Sequence, residues 1–344
     1  MEISSFKPKQ LNKNLLSVLP DRARDVVVSR FGLGTSPERR TLESIGQQYG
    51  ITRERVRQIE NFALQTIKKS EAYKTEEEML EGLRSHIYSH GAVLPEEHLL
   101  ELLAKDQSTQ NHFHFILVLG ETFERRKEDQ HFTHRWSVDE GVSKIVHQAL
   151  HGLFQTLGED DLIPEEELLN SFQRRLAGVP AEFKDNPEVA KRWLALSKVI
   201  GSNPLGEWGL ASSPNIRARG IRDYAYLVIR RHGSPLHFTE VAKAIEKLFG
   251  RSAHVATCHN ELIKDKKRFV LVGRGLYGLS EWGYSNGIVR DIICRILGEE
   301  ECLSREELVE RVLKERYVKE NTVVVNLQNK KYFKKDGDGK YRLV

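Results

Sequence analysis

Four stretches of the chain follow one pattern: an apolar residue, a position that favours a helix start, acidic residues, then paired apolar residues. They read A-V-L-P-E-E-H-L-L-E-L-L from Ala92, D-L-I-P-E-E-E-L-L from Asp161, P-L-H-F-T-E-V-A-K-A-I from Pro235 and C-L-S-R-E-E-L-V-E-R-V from Cys302. Their leading apolar residues, Leu94, Ile163, Leu236 and Leu303, stand 69, 73 and 67 residues apart. Near-constant spacing of this kind marks tandem structural units. Each unit also closes alike, on a short strand-like piece carrying an aromatic. Trp136, Trp208, Tyr277 and Tyr341 lie 42, 45, 41 and 38 residues beyond the leading apolar position. Apolar-periodic helices open the later units, at 221–231 through Ile221, Tyr224, Leu227 and Val228, and at 287–297 through Ile288, Ile292, Ile293 and Ile296. Helix, short strand, two helices, then a hairpin is the order of a winged helix. A unit of about 65 residues is long enough to bury one three-helix core under a small sheet.

A different pattern occupies the first 70 residues. Residues 42–59 read L-E-S-I-G-Q-Q-Y-G-I-T-R-E-R-V-R-Q-I, with apolar residues at 42, 45, 51, 56 and 59 and glycines at 46 and 50. This is helix-turn-helix spacing. Gly46 lets two helices approach closely, and Gly50 suits a left-handed turn. Ile51 plugs the core at the turn, and Thr52 is a good N-cap for a second helix whose stripe of Val56, Ile59, Ala63 and Ile67 faces inward. Arg53, Arg57 and Gln58 are then left facing outward, with Glu54 and Arg55 at the edges. The N-terminal part of such a helix meets base edges in the major groove. Arg pairs with guanine, Gln with adenine, and Glu accepts from cytosine. By charge alone, a solvated face of internal ion pairs accounts for the run equally well.

The stretch L-P-D-R-A-R-D-V-V-V-S-R-F-G-L-G from Leu19, followed by R-T-L-E-S-I-G-Q-Q-Y-G-I-T-R-E-R-V-R-Q-I-E-N-F-A-L from Arg40, resembles region 4 of the housekeeping sigma factors of bacterial RNA polymerase, over residues 15–69. In that family the domain binds the promoter −35 element and docks on the flap of the polymerase β subunit. The resemblance implies base or phosphate contacts for Arg53, Glu54, Arg55, Arg57 and Gln58, and phosphate contacts near Arg40 and Thr41. Region 2, the aromatic-rich domain a working sigma factor needs, has no counterpart in the sequence, which argues against a stand-alone sigma factor. A second stretch, I-R-D-Y-A-Y-L-V-I-R-R-H-G-S-P-L-H-F-T-E-V-A-K-A-I from Ile221 with R-F-V-L-V-G-R-G-L-Y-G-L-S-E-W from Arg268, resembles the HARE-HTH domain, over residues 217–283. That winged-helix module implies an auxiliary nucleic-acid or transcription role and no defined chemistry.

The expected fold is therefore mainly α with small β wings: an N-terminal helix-turn-helix domain followed by tandem winged-helix domains. Residues 1–14 are expected to be a flexible arm, 15–70 the helix-turn-helix domain, and 75–138 a winged-helix-like unit. Residues 139–212 are expected to be a degraded unit with an insertion at 177–191, 217–284 the HARE-HTH-like unit, and 285–344 the C-terminal winged helix. Residues 211–215 and 283–286 read as linkers, and the charged segment 71–78 as a stiff connector.

Net charge is only +4, but its distribution is uneven. Residues 1–70 carry +6, 71–220 carry −9 and 221–344 carry +7. Basic ends around an acidic middle point to a polyanionic partner for the ends. No apolar run approaches a membrane span and the N-terminus is not signal-like. Three scattered cysteines, Cys258, Cys294 and Cys302, exclude a disulfide framework and fit a reducing cytoplasm.

Several motifs imitate chemistry. Gly273-x-Gly275-x-x-Gly278 is followed by a second strand where a dinucleotide site needs a helix, so it reads as a hairpin wing with Arg274 at its tip. Asp336-Gly-Asp338-Gly lacks the ligands of a calcium loop and reads as the fourth wing. Its flanking Lys334, Lys335 and Lys340 either touch phosphates or are simply solvated. Lys264, Lys266, Lys267 and Arg268 are either helix-dipole complements or a phosphate clamp. Glu182-x-Lys184, downstream of Asp160 and Asp161, lacks the paired strands of a metal-dependent nuclease. His131 and His134 read as wing surface, and Cys258 with His259 lack a second zinc-ligand pair. No catalytic residue, metal or cofactor is expected.

The expected function is that of a non-enzymatic, cytoplasmic, nucleoid-associated DNA-binding protein of the transcription apparatus, with double-stranded DNA and RNA polymerase as partners. A protein-interaction scaffold on polymerase is the alternative, as is a non-catalytic targeting component of a restriction or phage-defence system.

Overall fold

The structure is a computed structural model, which describes residues 6–184 and 186–344. It is mainly helical with small antiparallel sheets, the expected fold class. The chain divides into two compact units, one comprising residues up to 201 with 208–211, the other 202–207 with 212–344.

The first unit opens with α1 (Pro8–Ser17), α2 (Asp21–Phe31), α3 (Leu42–Tyr49) and α4 (Arg53–Lys68). The flexible arm expected over 1–14 is corrected here. Residues 1–5 lie outside the described residues, and Pro8 starts a helix that buries Leu11 and Leu15. Next come α5 (Glu71–Lys74), α6 (Glu77–Ser89), β1 (Val93–Pro95), α7 (Glu96–Leu103), α8 (Gln107–Leu119), β2 (Glu124–Arg126) and β3 (Arg135–Ser137), with strands in the order β1-β3-β2. These are the elements of a winged helix.

The third helix of this unit has an unusual position. A winged helix ordinarily leaves that helix free to enter a groove, but α8 buries Asn111, His112, Phe113, His114, Phe115, Ile116, Leu117 and Leu119. Leu11, Leu15, Val27 and Phe31 of the N-terminal helices share one core with Leu83, Leu99, Phe113 and Ile116. Phe6 stacks on Phe113 with ring centroids 5.2 Å apart. Each fully buried leucine or phenylalanine of this seam contributes about 1.5–3 kcal/mol. Asn12 Nδ2 crosses it to donate to the His112 carbonyl at 3.0 Å. The helix-turn-helix domain and the first winged helix are thus one folded body.

The chain continues through α9 (Glu140–Phe154), β4 (Ile163–Pro164), α10 (Glu165–Gln173), α11 (Ala181–Lys184), α12 (Pro187–Leu194), β5 (Ile200–Ser202) and β6 (Glu207–Leu210), with strands in the order β4-β6-β5. The insertion expected at 177–191 is corrected: α11 and α12 occupy the place of a third helix. Phe183, Val189 and Trp193 are buried in the core with Val146, Leu168 and Phe172. Pro187 at the first turn of α12 explains the break, because proline bars the preceding residue from helical geometry while starting a new helix well.

In the second unit, α13 (Ile221–His232), β7 (Leu236–His237), α14 (Phe238–Phe249), α15 (Val255–Lys264), β8 (Phe269–Gly273) and β9 (Leu276–Leu279) form a winged helix with strand order β7-β9-β8. Then come α16 (Val289–Glu299), α17 (Arg305–Glu315), α18 (Glu320–Leu327) and the hairpin β10 (Phe333–Lys335) and β11 (Tyr341–Leu343). The segment 283–286, read as a linker, is strapped down. Arg316, 3% exposed, donates to the carbonyls of Ser285 and Gly287, and Glu315 accepts from Ser285 Oγ at 2.9 Å. The Tyr317 amide donates to Val272 O at 2.8 Å, extending β8 in parallel.

Candidate nucleic-acid interface

The turn between α3 and α4 is built as its glycines require. Gly50 has φ +62°, and the Ile51 amide donates back to Gly46 O at 2.9 Å. A Cβ on Gly46 would meet the Ile51 carbonyl oxygen at 2.6 Å, so only glycine lets the turn fold this tightly against α3. Thr41 Oγ1 accepts from the Ser44 amide at 3.1 Å and Thr52 Oγ1 from the Arg55 amide at 3.2 Å, capping the two helices. Beneath them Val26, Ile45 and Val56 form a small fully buried core. Along α4, Val56, Ala63 and Ile67 are buried and Ile59 is half-buried.

That packing turns Arg53, Glu54, Arg55, Arg57 and Gln58 all to solvent. They are ordered among themselves. Arg57 Nε and Nη2 donate to the two Glu54 carboxylate oxygens at 2.9 and 2.7 Å, and Arg55 Nη1 donates to Gln58 Oε1 at 3.0 Å. The Arg57 hydrogen bonds hold the Glu54 carboxyl below its usual range and push the Arg57 guanidinium up. The fork points along the surface, so its cations stay solvated and cost little to re-aim at a phosphate or base edge. Arg40 is exposed and donates to Gln48, while its carbonyl accepts from Arg30 Nη1 at 3.1 Å.

The loop that carries Arg40 and Thr41 is held by a residue the sequence reading did not single out. Asn111, fully buried on α8, donates to Gly32 O at 3.1 Å and Pro37 O at 2.7 Å. Its Oδ1 accepts from Arg39 Nε at 2.8 Å and from Gln107 Nε2 at 3.1 Å. Its local trace is slight, because Asn111 stands where the polar first turn of α8, with Gln107 and Gln110, gives way to the apolar half.

The second basic cluster divides. Lys266 and Lys267 are exposed, and Lys264 is exposed while paired with Glu261 at 3.2 Å. Arg268 is turned inward. It donates to Asp265 at 2.6 Å and Asp223 at 3.0 Å with its side chain 18% exposed, closing the C-terminal end of α15 onto α13. Its charge is spent inside the domain, so it is not a phosphate clamp. Arg274 occupies the two-residue turn between β8 and β9 and is exposed. Lys334 and Lys335 are exposed on β10 and Lys340 on the following turn. Glu182 and Lys184 lie on the short α11, and no metal-holding cluster of His, Cys, Asp or Glu occurs among the described residues. No described helix is long and apolar enough to cross a membrane.

Comparison with known proteins agrees with this geometry. Residues 15–69 match the family described as sigma-70, region 4, and residues 221–282 match the HARE-HTH family, whose description includes the restriction endonuclease HTH domain. The RNA polymerase sigma factor RpoS of Coxiella burnetii is 51% identical over 53 residues, 15% of this chain and 15% of that protein. The RNA polymerase sigma factor SigA of Listeria monocytogenes is 40% identical over 73 residues, 21% of this chain and 19% of that protein. The principal sigma factor HrdD of Streptomyces griseus is 43% identical over 56 residues, 16% of this chain and 17% of that protein. The similarity thus spans less than a fifth of these relatives' length. Both matched regions are DNA-binding types of helix-turn-helix domain and neither is a catalytic type.

Proposed function

We propose that this chain binds duplex DNA through α4 and acts with RNA polymerase in transcription, in a role other than that of a stand-alone sigma factor. One observation carries the reading: five side chains of the types that recognise bases and phosphates stand exposed on the first two turns of one capped helix, over a buried aliphatic seam. Arg53 and Arg57 serve as base or phosphate donors, Glu54 as an acceptor that also orients Arg57, and Arg55 with Gln58 as the second pair. Arg40 and Thr41 lie at the start of α3, where a backbone phosphate meets an exposed guanidinium and the amides of a helix N-terminus. Lys264, Lys266, Lys267, Arg274, Lys334 and Lys335 supply sequence-independent phosphate contacts from the C-terminal winged helices. The polymerase partnership rests on the likeness to sigma factors over 15–69. Nucleoid localisation follows from the DNA role.

The test is fluorescence anisotropy of the full chain on duplex DNA across a salt series, for the native sequence, Arg53→Ala and Arg57→Ala. Each substitution is expected to weaken specific binding by about 1–3 kcal/mol if the side chain reads a base, or to reduce the salt slope by about one if it contacts a phosphate. Affinity indifferent to both salt and substitution refutes the reading.

A second reading, a protein-interaction scaffold on polymerase, is supported by α8, a winged-helix third helix buried over 111–117 against its own chain and so not free to enter a groove. Capture of polymerase by the full chain without any DNA shift selects it.

A further inference from the structure

The last winged helix distributes its charge in a way that its third helix does not explain. That helix, α18, reads E-N-T-V-V-V-N-L and contains no cation, while Val325 on its outer face is 55% exposed. The cations lie beyond it. Residues 328–344 carry Lys330, Lys331, Lys334, Lys335, Lys340 and Arg342 against Asp336 and Asp338, and Arg342 is paired with Asp336 at 3.3 Å. A duplex gripped through α18 would find no cation on that helix to meet its phosphates.

Between the end of α18 and the β10–β11 hairpin runs a groove of about 450 Å³. Lys330, Lys334 and Lys335 line it together with Leu327, Phe333 and Tyr341. Lys335 Nζ sits 5.8 Å from the centre of the Tyr341 ring, an exposed cation over an aromatic face. An apolar floor offers nothing to a duplex backbone, whose bases are turned inward. It does suit a strand whose bases are unstacked, because each base has a flat face to lay on an aromatic ring while its phosphate meets a cation. The volume lies in the range of a site for one small organic group.

We propose that this groove binds single-stranded nucleic acid, with phosphates on the lysine rim and a base against Tyr341. On engagement Lys335 leaves the ring for a phosphate, and the base takes its place. The site is independent of α4, so each stands or falls alone.

The test uses the full chain and fluorescein-labelled oligo(dT) about twelve nucleotides long, within the span of one small binding fold, beside its duplex with oligo(dA). The triple variant Lys330→Ala, Lys334→Ala, Lys335→Ala is expected to lose tenfold or more in single-strand affinity, with the salt slope shallower by about 2. Tyr341→Leu is expected to lose about 5- to 150-fold, the size of one lost base–aromatic stack, without a change in slope, and Tyr341→Phe to bind like the native chain. Because the three lysines are exposed, their variant tests the idea even if Tyr341→Leu proves unstable in a thermal melt. Single-strand affinity indifferent to the lysines overturns the proposal, as does an equal loss on the duplex with Tyr341→Leu, since Lys334 and Lys335 also meet duplex phosphates and only the stacked base is particular to a single strand. Displacement of oligo(dT) by polyglutamate at equal charge overturns it too, since an acidic protein segment would then be the better occupant.

Discussion

Replacing Asn111 with alanine tests whether the first winged helix organises the DNA-reading domain. Asn111 is fully buried, and its amide makes four hydrogen bonds, two of them to backbone carbonyls of the loop between α2 and α3. Truncation leaves the Pro37 carbonyl and the Arg39 guanidinium short of partners at a site where burial already pushes the Arg39 pKa down. A buried polar group left unpaired costs about 1–3 kcal/mol, so two such groups give a loss of about 2–6 kcal/mol. The loss should be local first. The Arg40 amide, bonded to Ser29 O at 3.0 Å, and the Ser44 amide under the Thr41 cap should exchange faster with deuterated solvent. Urea unfolding followed by far-UV circular dichroism should show the domain's midpoint falling, and anisotropy should show weaker duplex binding although no DNA-facing residue has changed. If amide protection across 32–45 and the urea midpoint both match the native chain, the winged helix is a mere neighbour and the reasoning fails.

Gly46→Ala should destabilise the helix-turn-helix by about 1–3 kcal/mol, read from the urea midpoint, because its Cβ would sit 2.6 Å from a backbone oxygen that cannot move without unfolding the turn. Burial pushes the His114 imidazole down to about 3, with Arg39 and Arg125 nearby reinforcing the shift and Glu96 opposing it. The folded state therefore keeps it neutral, whereas the unfolded chain protonates near pH 6.5. Stability is fully present above that value and falls as pH drops, by about 1.4 kcal/mol per pH unit for each such proton. His86, His112 and His147 are shifted the same way by burial. His114→Phe should remove one proton's share of the acid dependence between about pH 6.5 and 5, which urea midpoints at the two values measure. Arg316→Met should loosen the strap over 283–287 and raise chymotrypsin cleavage after Tyr284 several-fold, while circular dichroism of the folded units stays unchanged.

The helix-turn-helix was legible because every determinant is local. Thr41 and Thr52 cap helices three residues ahead of the amides they accept from, and Gly50 makes its turn within its own helix end. The apolar positions 56, 63 and 67 recur at helical spacing along α4, so a dozen consecutive residues specify which side faces in. The wings around Arg274 and around 336–340 were legible for the same reason, since a hairpin turn is encoded in the residues that make it.

Tertiary structure alone decided how those pieces are used. Asn12 and His112 are 100 positions apart, and Asn111 reaches back 79 positions to Gly32. Nothing in either segment names its partner, so the sequence could not tell that α8 is a brace, that α1 is no loose arm, or that residues 177–191 complete a core. Arg268 makes the point for charge. Beside Lys266 and Lys267 it reads as one more surface cation, and only Asp223, 45 positions earlier, turns it into an internal clasp. Helical periodicity sets which face of a segment is apolar, but the partner that covers it is chosen by packing between distant parts of the chain.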